Sequence, residues 1–159
     1  MSPRAAWRLE SLGFKKVYDY VAGKADWIAA GLPIEGELAS VPRAIDVVKR
    51  DVPTCSPFDR IGDVSDQVEA AREDVCIVTN DEGIVLGRLR RRALASDRGK
   101  AVHEVMQSGP TTTRADDPLK ELVDRLRGAG VRSILVTTPE GRLLGVLYRE
   151  DAERILDGV

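Results

Sequence analysis

The chain repeats itself with a period of 58 residues, and this repeat constrains the fold more than any other feature. Residues 44–101 align with residues 102–159 without a gap. The repeated dipeptides that contain glycine are Glu82-Gly83 with Glu140-Gly141 and Leu86-Gly87 with Leu144-Gly145. Because glycines fix turns and close approaches of the backbone, their repetition indicates a repeated fold and not only a repeated composition.

Both copies predict the same order of secondary structure. A short extended piece ("VPTC" or "PTTT") precedes a stretch with helical apolar spacing, such as Ile61, Val64 and Val68. A buried strand ("VCIVT" or "SILVT"), a Glu-Gly turn and a second strand follow, and a final helix starts near Arg91 or Arg149. We therefore predict an α/β (α+β) fold of two β-α-β-β-α repeats packed in pseudo-two-fold fashion, because each small sheet needs the other to cover an apolar face.

The repeated unit resembles the CBS domain, and two units in tandem resemble a CBS pair (Bateman module). The resemblance is carried by "VHEVMQSGPTTTRADDPLKEL", by the strand–Glu-Gly–strand hairpin and by "GVLYRED". It implies a regulatory module, not an enzyme, with repeat 1 at 44–101 and repeat 2 at 102–159. It also implies that an adenosine-containing ligand (AMP, ADP, ATP or S-adenosylmethionine) binds in the cleft between the repeats, with no required cofactor.

The same resemblance implies a ribose site in the second repeat. In the CBS family an aspartate that closes a Gly-h-h-Ser/Thr-x-x-Asp stretch binds the ribose hydroxyls, and Asp151 stands at that position. A carboxylate suits this role because it accepts hydrogen bonds from two neighbouring hydroxyls. Tyr148 replaces the Ser/Thr, and Thr112 matches a threonine that often lines the cleft. The structural alternative is that Asp151 is an acid favoured in the first turn of a helix by the helix dipole.

The first repeat departs from this pattern. Ala93 replaces the aspartate, so we expect one ligand per chain, and Arg90 replaces the Ser/Thr. Arg90, Arg91 and Arg92 crowd a predicted helix N-terminus, where cations are disfavoured unless an anion binds there. We predict that these arginines neutralise ligand phosphates. The alternative is a solvated basic face balanced by acids elsewhere.

Residues 1–37 have no counterpart in the repeat. They predict a helix ending at Gly13, a short strand at residues 16–20 and a second helix through Ala30, followed by a linker at 38–43. The stretches "SPRAAWRLESLGF" and "VYDY" resemble the last third of a rhodanese domain, and the resemblance makes Trp7 and Trp27 core anchors. The rhodanese catalytic cysteine would precede Ser2. The segment is therefore either part of a longer sulfurtransferase or a retained packing element.

Composition narrows the remaining possibilities. A net charge of −2 gives no basic field for nucleic acid or an anionic membrane, and no apolar run is long enough for a membrane span. We predict a cytoplasmic protein whose two cysteines, Cys55 and Cys76, are buried core thiols, with no catalytic residues and no metal site.

A leucine stripe on the helix of repeat 2 favours a homodimer through the CBS helices. The stripe consists of Leu119, Leu122 and Leu126. An assembly module with decayed ligand sites is the other non-enzymatic possibility.

Overall fold

The computed structural model describes residues 2–37 and 39–158. The N-terminal segment contains α1 (Ser2–Ser11) and α2 (Gly23–Ala29). The first repeat contains a 3-10 helix (Ala44–Asp46), β1 (Thr54–Cys55), α3 (Ile61–Ala70), β2 (Val75–Thr79), β3 (Val85–Arg90) and α4 (Arg91–Leu94). The second contains α5 (Val102–Val105), β4 (Gln107–Ser108), β5 (Thr112–Arg114), α6 (Leu119–Gly128), β6 (Ser133–Thr137), β7 (Leu143–Tyr148) and α7 (Arg149–Asp157). The predicted β-α-β-β-α order is confirmed.

Each repeat builds its own sheet with the same topology. β1 and β2 are parallel and β2 and β3 antiparallel, and β5, β6 and β7 repeat this arrangement. The register repeats as well, because Thr54 pairs with Ile77 and Thr112 pairs with Leu135. The fold is therefore duplicated down to individual strand pairs.

The central strands are buried on both faces. Within β2, Cys76 and Val78 pack with the helices of their own repeat, whereas Ile77 packs against Leu135 and Val146 of the other sheet. This alternation follows from the two-residue period of side chains along a strand. Each sheet thus packs against the other sheet with one face and against the helices of its own repeat with the other face. Cys55 and Cys76 are both buried, so the prediction that both thiols are core residues is confirmed.

The hairpin turns mark the pseudo-two-fold relationship. Ile84 forms a bridge with Arg142, its equivalent in the second repeat. The amide of Val85 donates to the carbonyl oxygen of Gly141 at 3.0 Å, and the equivalent bond from Leu143 to Gly83 is 2.9 Å. The predicted pseudo-two-fold packing is confirmed by these reciprocal bonds.

The repeats also exchange short segments. β4, which belongs to repeat 2 by sequence, pairs with β3 of repeat 1. In the reciprocal position Lys49 of repeat 1 forms a bridge with Val146 in β7. Gly87 and Gly145 lie under these crossing segments. A Cβ on Gly145 would collide with the backbone of Lys49, so the repeated Leu-Gly dipeptide follows from the exchange.

The N-terminal segment differs from its sequence prediction in two respects. Residues 16–20 form no strand, because no sheet edge of the described structure pairs with them. Trp7 is not a core anchor, since 66% of its surface is exposed. Trp27 is partly buried and donates its indole N–H to the carbonyl oxygen of Pro33 at 2.8 Å. The segment is held mainly by α2, whose Ile28 and Ala29 pack into the core of repeat 2.

The apolar stripe that suggested a dimer through the CBS helices is buried within the chain itself. Leu119, Leu122 and Leu126 are all buried and pack in the core formed by repeat 2 and α2. The stripe therefore offers no apolar surface to a second copy, and the reason given for a dimer through these helices was wrong.

Candidate functional site

A cleft of about 800 Å³ lies between the two repeats. The end of β3 forms one wall, and the end of α6 with the start of β6 forms the other. The apolar residues that line it are Val75, Leu126, Ala129, Val131, Ile134, Leu135 and Val146. Such an apolar surface with a polar rim is typical of ligand clefts, and its volume falls within their usual range of roughly 300–1,000 Å³.

Arginines dominate the polar lining of this cleft. They are Arg88, Arg90, Arg91, Arg125 and Arg132. The acidic lining residues are Asp74 and Glu150. Of the five arginines only Arg125 has a carboxylate at ion-pair distance in the described structure, that of Asp117 at 3.4 Å. The cleft is therefore a site of excess positive charge.

Burial adds to the electrostatic cost of this arrangement. The pKa of Arg88 is lowered, first by desolvation and then by the neighbouring charge of Arg90. The guanidinium of Arg88 donates its Nε–H to the Gln107 side chain at 3.0 Å, a neutral acceptor that does not compensate the charge. A bound anion at this position would relieve both the repulsion and the lack of a counter-ion.

A second cavity, of about 450 Å³, adjoins the first. Arg88 and Arg90 line both cavities, and Arg92 lines only the second. The remaining lining residues, Ala93, Ser96, Val105 and Gln107, include no acid. The positive charge of the cleft therefore extends outward from β3 to the start of α4, through three arginines in a cavity whose lining contains no acid.

A third cavity lies on the other side of Arg91 and Tyr148, which line both it and the main cleft. Its charges are mixed, since Glu69, Glu73 and Asp74 accompany Lys49, Arg72 and Arg91. Lys49 and Glu73 form an ion pair within it. Tyr148 separates the two spaces, and desolvation, followed by the charge of Glu73, raises its pKa, which keeps the phenol neutral.

The structure brings together some of the predicted site residues and separates others. Arg90, Arg91 and Tyr148 line the main cleft, and Arg92 lines the adjoining cavity. The cleft contains Thr111 and not the predicted Thr112. Asp151 lies in the first turn of α7, pairs with Arg154, and does not line any of the three cavities. Its side chain is 42% exposed.

The helix argument for the arginine cluster is weaker than its sequence implied. α4 is a single turn, Arg91–Leu94, so it has little of the macrodipole that would make its N-terminus costly for cations. What singles out these arginines is instead that, in the described structure, none of them has a carboxylate at ion-pair distance.

Sequence reasoning missed Arg88, Arg125 and Arg132. A signal for Arg88 was present, because Arg88 and Arg90 alternate with the buried Leu89 and so share the other face of β3. Nothing in the sequence pattern signals Arg125 and Arg132. They reach the cleft only because α6 and β6 pack beside β3.

Comparison with known proteins fits this geometry. The family model for the CBS domain matches residues 102–158. These residues are therefore similar in sequence to the CBS domain. An inosine-5'-monophosphate dehydrogenase of Methanocaldococcus jannaschii is 25% identical over 117 residues, which cover 72% of this chain and 24% of that protein. The chain thus spans about a quarter of the length of this relative.

Solved structures extend the CBS likeness to both repeats. The cytosolic domain of the Mg²⁺ channel MgtE, solved with ATP, has a TM-score of 0.65 and 22% identity, covering 77% of this chain and 51% of that one. The CBS domain pair of protein MJ0100, solved with 5'-methylthioadenosine and S-adenosyl-L-methionine, has a TM-score of 0.62 and 16% identity, covering 74% and 98%. The fold is that of CBS-domain pairs.

Residues 2–37 and 39–158 offer neither a metal-binding cluster nor a membrane-spanning helix. No group of three or more His, Cys, Asp or Glu side chains in these ranges is placed to hold a metal ion. None of their helices is both long and apolar enough to cross a membrane.

Proposed function

We propose that this CBS pair is a regulatory module that binds an adenosine nucleotide in the cleft between its repeats, in the cytoplasm. The observation that carries the proposal is the pairing of an apolar wall with arginines that lack carboxylate partners. A base fits the apolar part, formed by residues such as Leu126 and Ile134, while phosphates fit the arginine rim. Similar CBS-pair structures were solved with ATP and with S-adenosyl-L-methionine, which supports the ligand class.

The charge of the cleft favours phosphorylated nucleotides over S-adenosylmethionine. The sulfonium group of S-adenosylmethionine is a cation and would meet a cleft in which five arginines outnumber the two acids, Asp74 and Glu150. A diphosphate or triphosphate would instead place its negative charges on these guanidinium groups and extend toward Arg92 in the adjoining cavity. We therefore expect affinity to increase from adenosine through AMP to ATP.

Asp151 keeps its proposed role as a ribose ligand, although it pairs with Arg154. The residue is partly exposed and lies one turn or less from Tyr148 and Glu150, both of which line the main cleft. A ligand that recruits Asp151 must therefore draw the carboxylate away from Arg154. This exchange costs little, because a solvent-exposed ion pair contributes about 0–1 kcal/mol.

Isothermal titration of adenosine, AMP, ADP, ATP and S-adenosylmethionine into the chain tests the proposal. We expect one ATP per chain and weaker binding of adenosine and S-adenosylmethionine. If no nucleotide binds below millimolar concentration, the adenosine-nucleotide proposal is wrong and an assembly module with decayed sites is favoured. Two residues favour that alternative. Ala93 cannot make the ribose contact, and Tyr148 replaces a Ser/Thr.

A sulfurtransferase remains the third candidate. It requires a cysteine upstream of Ser2, as the rhodanese-like segment at residues 1–37 implies. The sulfurtransferase assay is production of thiocyanate from thiosulfate and cyanide. We expect the chain given by this sequence to show none above a protein-free blank, because both of its cysteines are buried in the core of repeat 1.

A further inference from the structure

The second cavity contains a serine that no other part of the described structure uses. Among the described residues that line this cavity, Ser96 is the only one with a hydroxyl group. It lies two residues beyond the end of α4, and its amide donates to the carbonyl oxygen of Ala93 at 3.1 Å. Within residues 2–37 and 39–158 its Oγ has no hydrogen-bond partner. The hydroxyl group is therefore not needed to hold the fold and is free to be modified.

The charges around Ser96 favour an anion at this position. Arg88, Arg90 and Arg92 line the cavity with it, and none of them has a carboxylate at ion-pair distance in the part of the chain that the structure describes. Asp97, the next residue, does not line the cavity, and its carboxylate accepts a backbone amide at 2.9 Å instead. A phosphate group carries about −1.5 to −2 charges at pH 7 and would supply the anion that these arginines lack.

The position of Ser96 also suits a modifying enzyme. Ser96 is partly exposed, and residues 97–100 are all exposed. The three arginines at 90–92 precede it by four to six positions, and the charge pattern around an acceptor residue is one basis on which kinases select substrates. The cavity volume of about 450 Å³ falls within the range of small-molecule sites, so it has room for a phosphate group.

We propose that Ser96 is a phosphorylation site, and that its phosphate binds the three arginines of the second cavity and thereby excludes nucleotide phosphates from the main cleft. The regulatory part rests on the proposed function, because Arg88 and Arg90 line both cavities. A guanidinium group that pairs with the phosphate on Ser96 is not available to a nucleotide. The second phosphate would also be repelled by the first.

The modification is an ordinary phosphoryl transfer by a protein kinase that uses ATP. The Oγ of Ser96 attacks the γ-phosphorus and forms the new O–P bond. The bond between that phosphorus and the β–γ bridging oxygen breaks, and ADP leaves with the bonding electron pair. The hydroxyl proton passes to a carboxylate base of the kinase.

The phosphate on Ser96 should compete with a nucleotide triphosphate but not with adenosine. It is tethered next to its arginines, so it acts at an effective concentration in the millimolar range and does not have to bind from solution. Adenosine carries no phosphate and depends on the apolar wall formed by residues such as Leu126 and Ile134. Phosphorylation should therefore change which ligands the cleft accepts without closing it.

The test compares the unmodified chain with a chain that carries phosphate on Ser96, introduced by genetic incorporation of phosphoserine. Isothermal titration should show at least about tenfold weaker binding of ATP to the phosphorylated chain, because a lost charge-assisted hydrogen bond has an effect of this size. Adenosine affinity should be unchanged. Arg92→Gln removes an arginine that lines only the second cavity, so it should restore part of the ATP affinity of the phosphorylated chain.

Thermal unfolding without nucleotide gives a readout that does not depend on the proposed ligand. Phosphate on Ser96 should raise the unfolding midpoint by about 2 °C or more, since it relieves the repulsion among three arginines, and Arg92→Gln should reduce this rise. A rise that depends on Arg92 in a chain that binds no nucleotide would support the phosphate contact and reject only the nucleotide proposal.

Phosphate on Ser40 is the matched control. Ser40 is exposed in the linker and lines none of the three cavities, so its phosphate should leave ATP affinity unchanged. Phosphopeptide mapping of the protein from its native cells should find phosphate on Ser96, and its absence in both growing and starved cells overturns the assignment. Equal ATP affinity with and without the phosphate, or an unfolding midpoint that does not rise, also overturns the proposal.

Discussion

Lys49 and Val146 exchange both of their backbone hydrogen bonds, each at 2.9 Å, across the boundary between the repeats. Gly145, the residue before Val146, lies directly under the carbonyl group of Lys49 and has a φ of +146°. The chain can make this crossing only where position 145 has no side chain. Gly87 occupies the equivalent place under Met106 and Gln107.

Gly145→Ala should therefore destabilise the fold strongly. We expect a loss of about 2–3 kcal/mol in the free energy of unfolding, because the new methyl group meets backbone and cannot be accommodated by a side-chain movement. Gly87→Ala should cost less, since its closest neighbour is the flexible Met106 side chain, with Sδ at 2.7 Å. Gly128→Ala, in α6 with open space around it, is the control and should be neutral or stabilising. Urea denaturation of the three variants measures the order.

Arg72 is in the left-handed conformation, with a φ of 56°, at the position where the second repeat has Gly130, with a φ of 65°. The left-handed conformation costs a non-glycine residue about 1–2 kcal/mol. Glycine avoids this cost, but it loses roughly 0.5–1 kcal/mol more in chain entropy when the protein folds. Arg72→Gly should thus stabilise the protein by up to about 1 kcal/mol, and Gly130→Arg should destabilise it. Thermal unfolding measures both variants. If both substitutions shifted the unfolding midpoint in the same direction, this expectation would be contradicted.

Alkaline pH should weaken the fold through Cys76. A hydrogen bond with Cys55, together with burial, raises the pKa of the Cys76 thiol well above its ordinary value. The unfolded chain then loses this proton near pH 8.5 while the folded chain keeps it, so stability is full below that pH and falls above it. The slope should approach about 1.4 kcal/mol per pH unit and should be smaller in Cys76→Ala. Denaturation curves between neutral pH and pH 10 test the difference in slope.

Arg90→Ala should reduce the affinity for ATP more than the affinity for adenosine, because only the phosphates interact with the guanidinium group. A charge-assisted hydrogen bond contributes about 1.5–3 kcal/mol, so we expect a loss of roughly ten- to a hundredfold for ATP. The salt dependence of ATP binding should also flatten. Arg142→Ala removes an exposed arginine at a hairpin turn and serves as the control. Equal losses for ATP and adenosine would assign Arg90 a structural role.

Asp151→Ala separates the ribose contact from a helix-start role. If Asp151 binds ribose, its loss should weaken every adenosine ligand by about ten- to a hundredfold. Arg154→Ala frees the carboxylate of Asp151 and should leave affinity unchanged or improve it. Unchanged binding in Asp151→Ala would show that the carboxylate serves only the first turn of α7.

The repeat predicted the strands and main helices well because local pattern determines them. The apolar spacing of Ile61, Val64 and Val68 and the buried run at β2 are properties of short segments. The segment exchange could not be predicted in the same way. A period of 58 residues is equally compatible with Lys49 pairing in its own sheet or in the other, and only packing decides between them. The failed strand at residues 16–20 has the same origin, since a strand requires a neighbour.

The candidate site was predictable in part for a similar reason. Arg90 and Tyr148 attracted attention because they replace the Ser/Thr of the CBS pattern, and Arg91 because it belongs to a run of arginines at a predicted helix start. Arg125 and Arg132 have no such signal, and they join the cleft only through the packing of α6 and β6. Asp151 was assigned by resemblance, and the structure adds a competing partner, Arg154, that no sequence pattern revealed.

The exchange of segments also determines how the chain can be divided. A break in the loop at residues 96–100 would separate β3 from β4 and Lys49 from Val146, so each fragment would carry an edge that belongs to the other's sheet. Neither fragment would have a complete hydrogen-bonding register alone. Mixed together, the two fragments would be expected to find each other and restore the fold, as the halves of a split reporter do.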